Sequence, residues 1–355
     1  MSFDARREPH REWELDEREF EFEWVLTRSL SLPQLIRPRR SPLHLPLNVM
    51  SVLKRFQPDV VISGELGART ASAAVFCRLR KRPLIVRWEG TPHTDGANAV
   101  TTVRRKLLLR HATRLWGNGE ESVRSLKAYG VPRSRIDLGM GGMDTMRWRR
   151  EVEDGRGAAR SALRKQFRLE GTVILFVGDL IALKGIKELL SALSILAADH
   201  DLPPWSVLFV GWGPLAQEIH IWTESHLTVP VALAGFVQPR ELAKYYAAAD
   251  LFAMPSLFDQ WGFVCLEALV AGIPQVTSLF AGAAALITSR EIGSVVDPRD
   301  SRSLANHLGD QIRMGPQRVP EVLCDRAMTQ WSVVSMVDRA ISSVRLAAQD
   351  RSKNR

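Results

Sequence analysis

Cysteine is scarce in this 355-residue chain: three residues, Cys77, Cys265 and Cys324, lie far apart in apolar or helical patterns. That spacing excludes a disulfide framework and reads as buried thiols in a reducing compartment. No run of about 18 apolar residues occurs, so no membrane span is expected. Residues 1 to 23 are charged throughout, so no signal peptide is expected either. Zinc-ligand spacings, a Walker motif and a Gly-x-Ser-x-Gly elbow are also missing, and no metal is expected. What remains is ordinary for a globular protein, 45% hydrophobic and 25% charged, and long enough for two domains.

The net charge of +9 is unevenly spread. Residues 1 to 23 carry −5, residues 24 to 150 carry +16, and residues 151 to 355 carry −2. Arginine dominates the basic part, in Arg37, Arg39 and Arg40, in Arg78 to Arg82, and in Arg104 to Arg110. Such a half-protein suits an anionic membrane surface or a phosphate-bearing acceptor. A solvated surface with no partner is the plain alternative. Nucleic acid is not expected, because no DNA- or RNA-binding motif accompanies the charge.

From Thr172 onward, short apolar runs alternate with helix-period segments. The runs are Thr172 to Val177, Ser206 to Val210, Val231 to Ala234, Leu251 to Met254, Gln275 to Ser278 and Ser294 to Val296. Gly185 to Ala198 and Arg240 to Ala249 read as helices between them. This alternation predicts βαβ units and a buried parallel sheet. Earlier in the chain, Asp59 to Ser63, Pro83 to Trp88 and Thr113 to Trp116 read as strands. Leu47 to Phe56, Gly67 to Leu79, Ala99 to His111 and Glu120 to Tyr129 read as helices. The expectation is therefore α/β, with two Rossmann-like domains facing a cleft. Their limits are read as 1–165 and 166–330, with 331–355 a C-terminal helix and tail that packs back on the first. The linker is placed between Gly139 and Gly171, where Gly141-Gly142 and the charged run Arg147 to Arg160 interrupt the pattern.

The richest stretch runs from Pro255 to Pro274. It follows an apolar strand, puts Asp259 in a loop, and opens a helix near Gly262, with Glu267 inside and Gly272 and Pro274 closing it. Two carboxylates and a helix N-terminus thus gather at the carboxyl end of a strand, where open α/β sheets bind ligands. A ligand with hydroxyls at both ends and phosphates between them, such as a nucleotide-sugar, suits that set. Gly211-Trp212-Gly213-Pro214 mimics a dinucleotide fingerprint, but no acidic residue ends the next strand, so a dehydrogenase is not expected.

The segment resembles the donor site of the family 4 glycosyltransferases, retaining enzymes of the GT-B fold. Asp259 and Glu267 have the spacing of that family's paired glutamates, with Pro255-Ser256 before and Ala268 after. The likeness extends to Phe176-Val177-Gly178, Lys184-Gly185, Val210 to Pro214, Gly235-Phe236-Val237 and Tyr246 to Asp250. It implies that Glu267 holds the ribose hydroxyls and Asp259 the donor sugar. The N–H groups of Gly262, Phe263 and Val264 would face sugar and diphosphate, Lys184 would meet the diphosphate, and Val237 would line the nucleotide site. His93, in Trp88-Glu89-Gly90-Thr91-Pro92-His93, follows an N-terminal strand and matches a histidine that many relatives place near the donor sugar; a lone loop histidine is otherwise incidental. Glu65 has a weaker case of that kind.

Three departures stand out. Asp259 is one methylene shorter than the usual glutamate. Asp179 stands where the family has an arginine after Phe-Val-Gly. The first domain begins without its usual strand and glycine-rich loop. The resemblance implies transfer of a sugar from a nucleoside-diphosphate-sugar to an acceptor hydroxyl with retention, in envelope polysaccharide or glycolipid synthesis. The acceptor would be lipid-linked or a saccharide, at the inner face of a membrane and on the cytoplasmic side. A silent nucleotide- or glycan-binding relative and a nucleotide-sugar epimerase are the alternatives.

Overall fold

The computed structural model describes residues 23, 25, 29–32, 43–64, 66–93, 99–139 and 141–353. The chain divides into two compact units: residues 1–140 with 337–355, and residues 141–336.

In the first unit a strand pair, β1 (Ser29–Leu32) and β2 (Leu43–Pro46), runs antiparallel. After it come α1 (Val49–Phe56), β3 (Val61–Ser63), α2 (Ala68–Leu79), β4 (Leu84–Trp88), α3 (Ala99–His111), β5 (Arg114–Gly117), α4 (Glu120–Ala128) and β6 (Ile136–Leu138). The last four strands form a parallel sheet in the order β3-β4-β5-β6. Side chains alternate across it, as the two-residue repeat of a strand requires. Leu84, Val86 and Leu115 join Ala73, Phe76 and Cys77 of α2 on one face, while Ile85 and Trp116 point to the other.

The second unit opens with α5 (Thr145–Gly155) and α6 (Ala158–Gln166). It continues through β7 (Thr172–Val177), α7 (Ile186–Ala197), β8 (Trp205–Val210), α8 (Ala216–Ser225), β9 (Val231–Leu233), α9 (Ala243–Ala248) and β10 (Leu251–Met254). It ends with α10 (Phe263–Val270), β11 (Gln275–Ser278), β12 (Gly293–Val296), α11 (Ser301–Met314) and α12 (Glu321–Gln330). All six strands are parallel, in the order β12-β11-β10-β7-β8-β9. Val173 and Leu175 of β7 pack with Phe252 and Met254 of β10 on one face; Ile174 and Phe176 pack with Leu251 and Ala253 on the other. Both faces are buried, which is why these strands read as continuous apolar runs. The last helix, α13 (Val333–Lys353), leaves the second unit and from residue 337 belongs to the first. There Ala347 covers Ile85 and Trp116, Ser343 accepts the Trp116 indole N–H at 2.6 Å, and Asp350 meets Arg114 at 3.2 Å.

The sheets follow the expected α/β plan, with strand limits shifted by one or two residues. The break between units lies at the start of the stretch expected to link them, ahead of the domain limit read at residue 165. It falls after residue 140, because the stretch read as a linker forms α5 and α6, which pack on α9. The charged run is there for a reason that pattern reading misses. Carbonyls in the last turn of a helix lack intrahelical donors and carry the negative end of the dipole. Arg160 reaches Ala247 O at 2.6 Å, Arg164 reaches Ala248 O at 2.9 Å, and Arg149 reaches Val270 O at 2.9 Å. Arg156 binds Ala271 O. Strand β6 and the β1–β2 pair are further elements that the pattern does not announce. The absent first strand expected of the N-terminal domain concerns residues 1–22, which lie outside the described residues, as do Arg37, Arg39, Arg40 and Glu65.

The arginines converge on Asp250, at the entrance to β10, whose side chain is 1% exposed. Arg160 binds its Oδ1 at 2.6 Å, Arg164 binds Oδ2, and the Val173 N–H donates to Oδ2 at 3.0 Å. Removing the carboxylate leaves two guanidinium groups without their counter-charge. Asp250→Ala is expected to lower stability by about 3 kcal/mol, read as a drop in the urea midpoint; an unchanged midpoint removes Asp250 from this role.

Candidate active site

The chain runs outward from β7 through β8 to β9, then returns to β10 on the other side of β7. The carboxyl ends of β7 and β10 therefore flank the switch point of the sheet, where ligands of open α/β folds bind. The loops leaving those two strands are fastened together. Leu183 O accepts the Leu257 N–H at 2.9 Å. Gly185 has φ +71°, and a Cβ there would stand 1.9 Å from Pro255 O, so only glycine fits. On the other side, Gly211 has φ +140° and would place a Cβ 1.9 Å from Gly178 O, while its N–H donates to Gly235 O at 2.8 Å. Backbone contacts thus tie the exits of β7, β8 and β9 into one edge.

Lys184 closes a 3₁₀ turn, Ala182–Lys184, just before α7. Its Nζ donates to Asp259 Oδ2 at 2.5 Å, and Asp259 Oδ1 accepts the Trp261 N–H at 3.2 Å. The carboxylate is therefore fixed from both sides, facing the cation across the switch point. Gly262 follows at φ +92° as the N-cap of α10, packed against the Met254 side chain. Phe263 and Val264 form the first turn, the former exposed and the latter half-buried. Their N–H groups have no acceptor one turn back and carry the positive end of the helix dipole.

Glu267 lies one turn further along α10. Tyr246, fully buried, donates its hydroxyl to Glu267 Oε2 at 2.7 Å; the other carboxylate oxygen has no partner among the described residues. Trp148 of α5 donates its indole N–H to Glu267 O at 2.9 Å and sets its ring edge-on to Tyr246 at 5.1 Å. Burial pushes the Glu267 carboxyl above its ordinary range, and the Tyr246 hydrogen bond offsets part of that rise. The Tyr246 phenol is held well above its usual value by burial and then by the neighbouring carboxylate. Tyr246 keeps its proton, so it is a donor that orients Glu267.

Val237 lies on the loop after β9 and packs, with Val264, against the core that holds Tyr246. The structure thus brings Lys184, Val237, Asp259, Gly262, Phe263, Val264 and Glu267 to the carboxyl edge of one sheet. His93 belongs to the other unit, exposed on the loop after β4. Asp179 is half-buried next to Gly178, on the same edge as Lys184. Sequence reasoning missed the orienting roles of Tyr246 and Trp148. Tyr246 stands in a segment already noted for its resemblance, whereas Trp148 sits in what reads as linker. Ser256, within the segment noted for its resemblance, has a buried hydroxyl without a hydrogen-bond partner among the described residues. Cys265, on the buried side of α10, is fully buried with its thiol pushed far up by desolvation, which disqualifies it as a nucleophile. Among the described residues no group of His, Cys, Asp and Glu could hold a metal ion. The Asp-x-Asp sequence at Asp199 and Asp201 follows α7, with Asp199 bound to Arg313 at 2.6 Å.

Comparison with known proteins identifies the family and the fold. The family described as glycosyl transferases group 1 matches residues 160–319, and the glycosyl transferase 4-like domain matches residues 5–138. The chain belongs to this glycosyltransferase family. It is 30% identical over 261 residues to a D-inositol 3-phosphate glycosyltransferase of Corynebacterium urealyticum, covering 66% of this chain and 59% of that one. It is 29% identical over 186 residues to a mannosylfructose-phosphate synthase of Agrobacterium fabrum, covering 50% and 40%. The matches therefore span about half the length of these curated relatives. Anabaena HepE, solved in complex with UDP, superimposes with a TM-score of 0.70 at 20% identity, over 83% of this chain and 81% of that one. At that identity the likeness establishes the fold, GT-B.

The raised Glu267 carboxyl makes stability depend on pH. The folded state holds this proton more tightly than the unfolded chain, so its contribution is complete below the ordinary value of 4.5. It is lost as pH rises through the raised value. Glu267→Gln stays neutral and is expected to flatten this slope. Urea midpoints of the two proteins should diverge upward from about pH 4.5; parallel curves would mean an unperturbed carboxyl.

Proposed function

We propose that this chain transfers a sugar from a nucleoside-diphosphate-sugar to an acceptor hydroxyl with retention of anomeric configuration. One observation carries the reading: a lysine paired with one carboxylate, a helix N-terminus and a second oriented carboxylate share the carboxyl edge of a parallel sheet at its switch point. Glu267, steadied by Tyr246, takes the ribose hydroxyls with its unoccupied oxygen, and Val237 lines the nucleotide. Asp259 takes hydroxyls of the donor sugar. Gly262, Phe263 and Val264 present N–H groups to sugar and diphosphate, and Lys184 meets the diphosphate. In the reaction the bond from the anomeric carbon to the phosphate oxygen breaks and a bond to the acceptor oxygen forms on the same face. The acceptor proton passes to the departing phosphate. Negative charge grows on the diphosphate as it leaves, and Lys184 with the α10 terminus stabilises it there more than in the ground state. No metal takes part in this scheme.

The acceptor is anionic, lipid-linked or saccharide, and binds the basic first unit. Relatives named for inositol phosphate and mannosylfructose phosphate support a phosphate-bearing acceptor. We place the reaction in envelope polysaccharide or glycolipid synthesis, at the cytoplasmic face of a membrane. None of the described helices is long and apolar enough to cross one.

One observation favours a silent nucleotide-binding relative. Asp179 puts an anion where the family has a phosphate-binding arginine; a unit-charge contact at about 4 Å and an effective dielectric near 20 is on the order of 4 kcal/mol. Assays with a panel of nucleotide-sugars separate the readings. An active enzyme releases nucleoside diphosphate and glycosylates an acceptor, a silent one binds without turnover, and an epimerase changes the sugar while keeping its diphosphate bond. Glu267→Ala is expected to weaken nucleotide binding by about ten- to a hundredfold, through loss of two charged hydrogen bonds. Unchanged calorimetric affinity removes Glu267 from the site. Asp179→Arg is expected to tighten diphosphate binding by calorimetry; no change places that side chain away from the phosphates.

A further inference from the structure

The outer surface of the first unit carries a feature that the transfer reaction does not use. Helices α2 and α3 join successive neighbours in the order β3-β4-β5, so right-handed crossovers put both on one face of the sheet, where they touch each other. On α3, Val100, Val103 and Leu107 recur at the spacing of a single helix stripe, exposed by 76, 57 and 51%. Leu109 points the opposite way, into the core, and is 1% exposed. Arg104 and Arg110 flank the stripe, with Lys106 beyond. On α2, Val75 and Leu79 form a second stripe, exposed by 54 and 72%, beside Arg78 and followed by Arg80 and Lys81.

The charges of this layer are unbalanced. Neither α2 nor α3 contains a single aspartate or glutamate. Arg78, Arg80, Lys81, Arg104, Lys106 and Arg110 form no ion pair among the described residues, in contrast to Arg82, which is bound by Asp59. A solvated helix gains nothing from exposing five large apolar side chains, and an Arg-rich surface made for solubility alone has no use for them. An apolar stripe edged by unpaired cations is the pattern of a helix lying in a bilayer interface, with apolar groups at the acyl boundary and guanidinium groups among headgroup phosphates.

We propose that the α2–α3 layer docks this protein on an anionic lipid bilayer. Val75, Leu79, Val100, Val103 and Leu107 enter the interface, and the six unpaired cations contact lipid phosphates. The docking stands on these two helices alone. That it brings a lipid-linked acceptor to the enzyme rests on the function proposed above, and the two can fail separately.

The test is sedimentation of the full chain with vesicles of equal parts phosphatidylcholine and phosphatidylglycerol, and with phosphatidylcholine vesicles. Binding is expected to the first and to be far weaker to the second, and to decline with added salt. Val103→Asp with Leu107→Asp is expected to reduce binding at least about tenfold, because two apolar anchors are lost. Arg104→Gln with Arg110→Gln, which leaves every apolar contact in place, is expected to reduce it about fivefold per cation. Both variants should keep the wild-type urea midpoint, a control that a failure of the donor-site reading would not affect. Absence of vesicle binding, equal binding to both compositions, or wild-type binding by both variants would overturn the proposal. Retention of the layer by an acidic protein without vesicle binding would overturn it in favour of a protein partner.

Discussion

Asp250 sits at the root of β10 with its carboxylate out of water, clasped by Arg160, Arg164 and the Val173 N–H. Stripping water from a carboxylate costs several kcal/mol, so the group persists there only because every direction around it supplies a donor. Three parts of the second unit meet at this point. The Val173 contact joins β10 to β7, and the arginines bring α6 onto the last turn of α9. Strand β10 then ends at Met254, and the loop bearing Asp259 follows. The position of the candidate site is thus inherited from an ion cluster at the opposite end of its strand. Arg318 shows how crowded that cluster is: desolvation, with repulsion from Arg156 and Arg160, lowers its guanidinium to about 10.

The charges at the carboxyl edge are satisfied by one another in this structure. Lys184 neutralises Asp259, and Tyr246 donates to Glu267. Each pairing keeps a half-buried polar group from standing without a partner. Each also fixes the direction in which the group presents itself to a ligand. Diphosphate arriving at Lys184 would compete with Asp259 for the same ammonium, and sugar hydroxyls would compete with Lys184 for the same carboxylate. In the proposed reaction the donor offers both at once, so an intact nucleotide-sugar would replace the ion pair without stranding either member. Asp179, half-buried on the same edge, adds a further anion there.

The first unit divides its arginines between two tasks. Some serve the fold: Arg114 is bound through both Asp137 oxygens at 2.7 Å and reaches Asp350 of α13, while Arg135 caps carbonyls at the end of α3. Others, Arg78 on α2 with Arg104 and Arg110 on α3, are exposed and form no ion pair among the described residues. Net charge cannot tell these apart. A count of +16 over residues 24–150 treats a buried structural cation and an exposed one alike.

Much of the second unit was legible because its physics is local. A strand buried on both faces must be apolar along its whole length, and a helix between parallel strands must repeat every 3.6 residues, so β7 to β12 are written into the chain. Positive-φ turns call for glycine, which is why Gly185 and Gly262 mark helix starts that the sequence shows openly. Asp259, Glu267 and Lys184 could be picked out because the segments around them resemble the donor site of the family 4 glycosyltransferases. Only the tertiary structure decided the rest. That Trp148 and Tyr246 support Glu267, that an arginine run caps two helices of another segment, and that α13 closes the far face of the first sheet are contacts between distant residues. A polar side chain has the same identity in a sequence whether its partner is water or a carbonyl folded against it, and that difference exists only once the chain has packed.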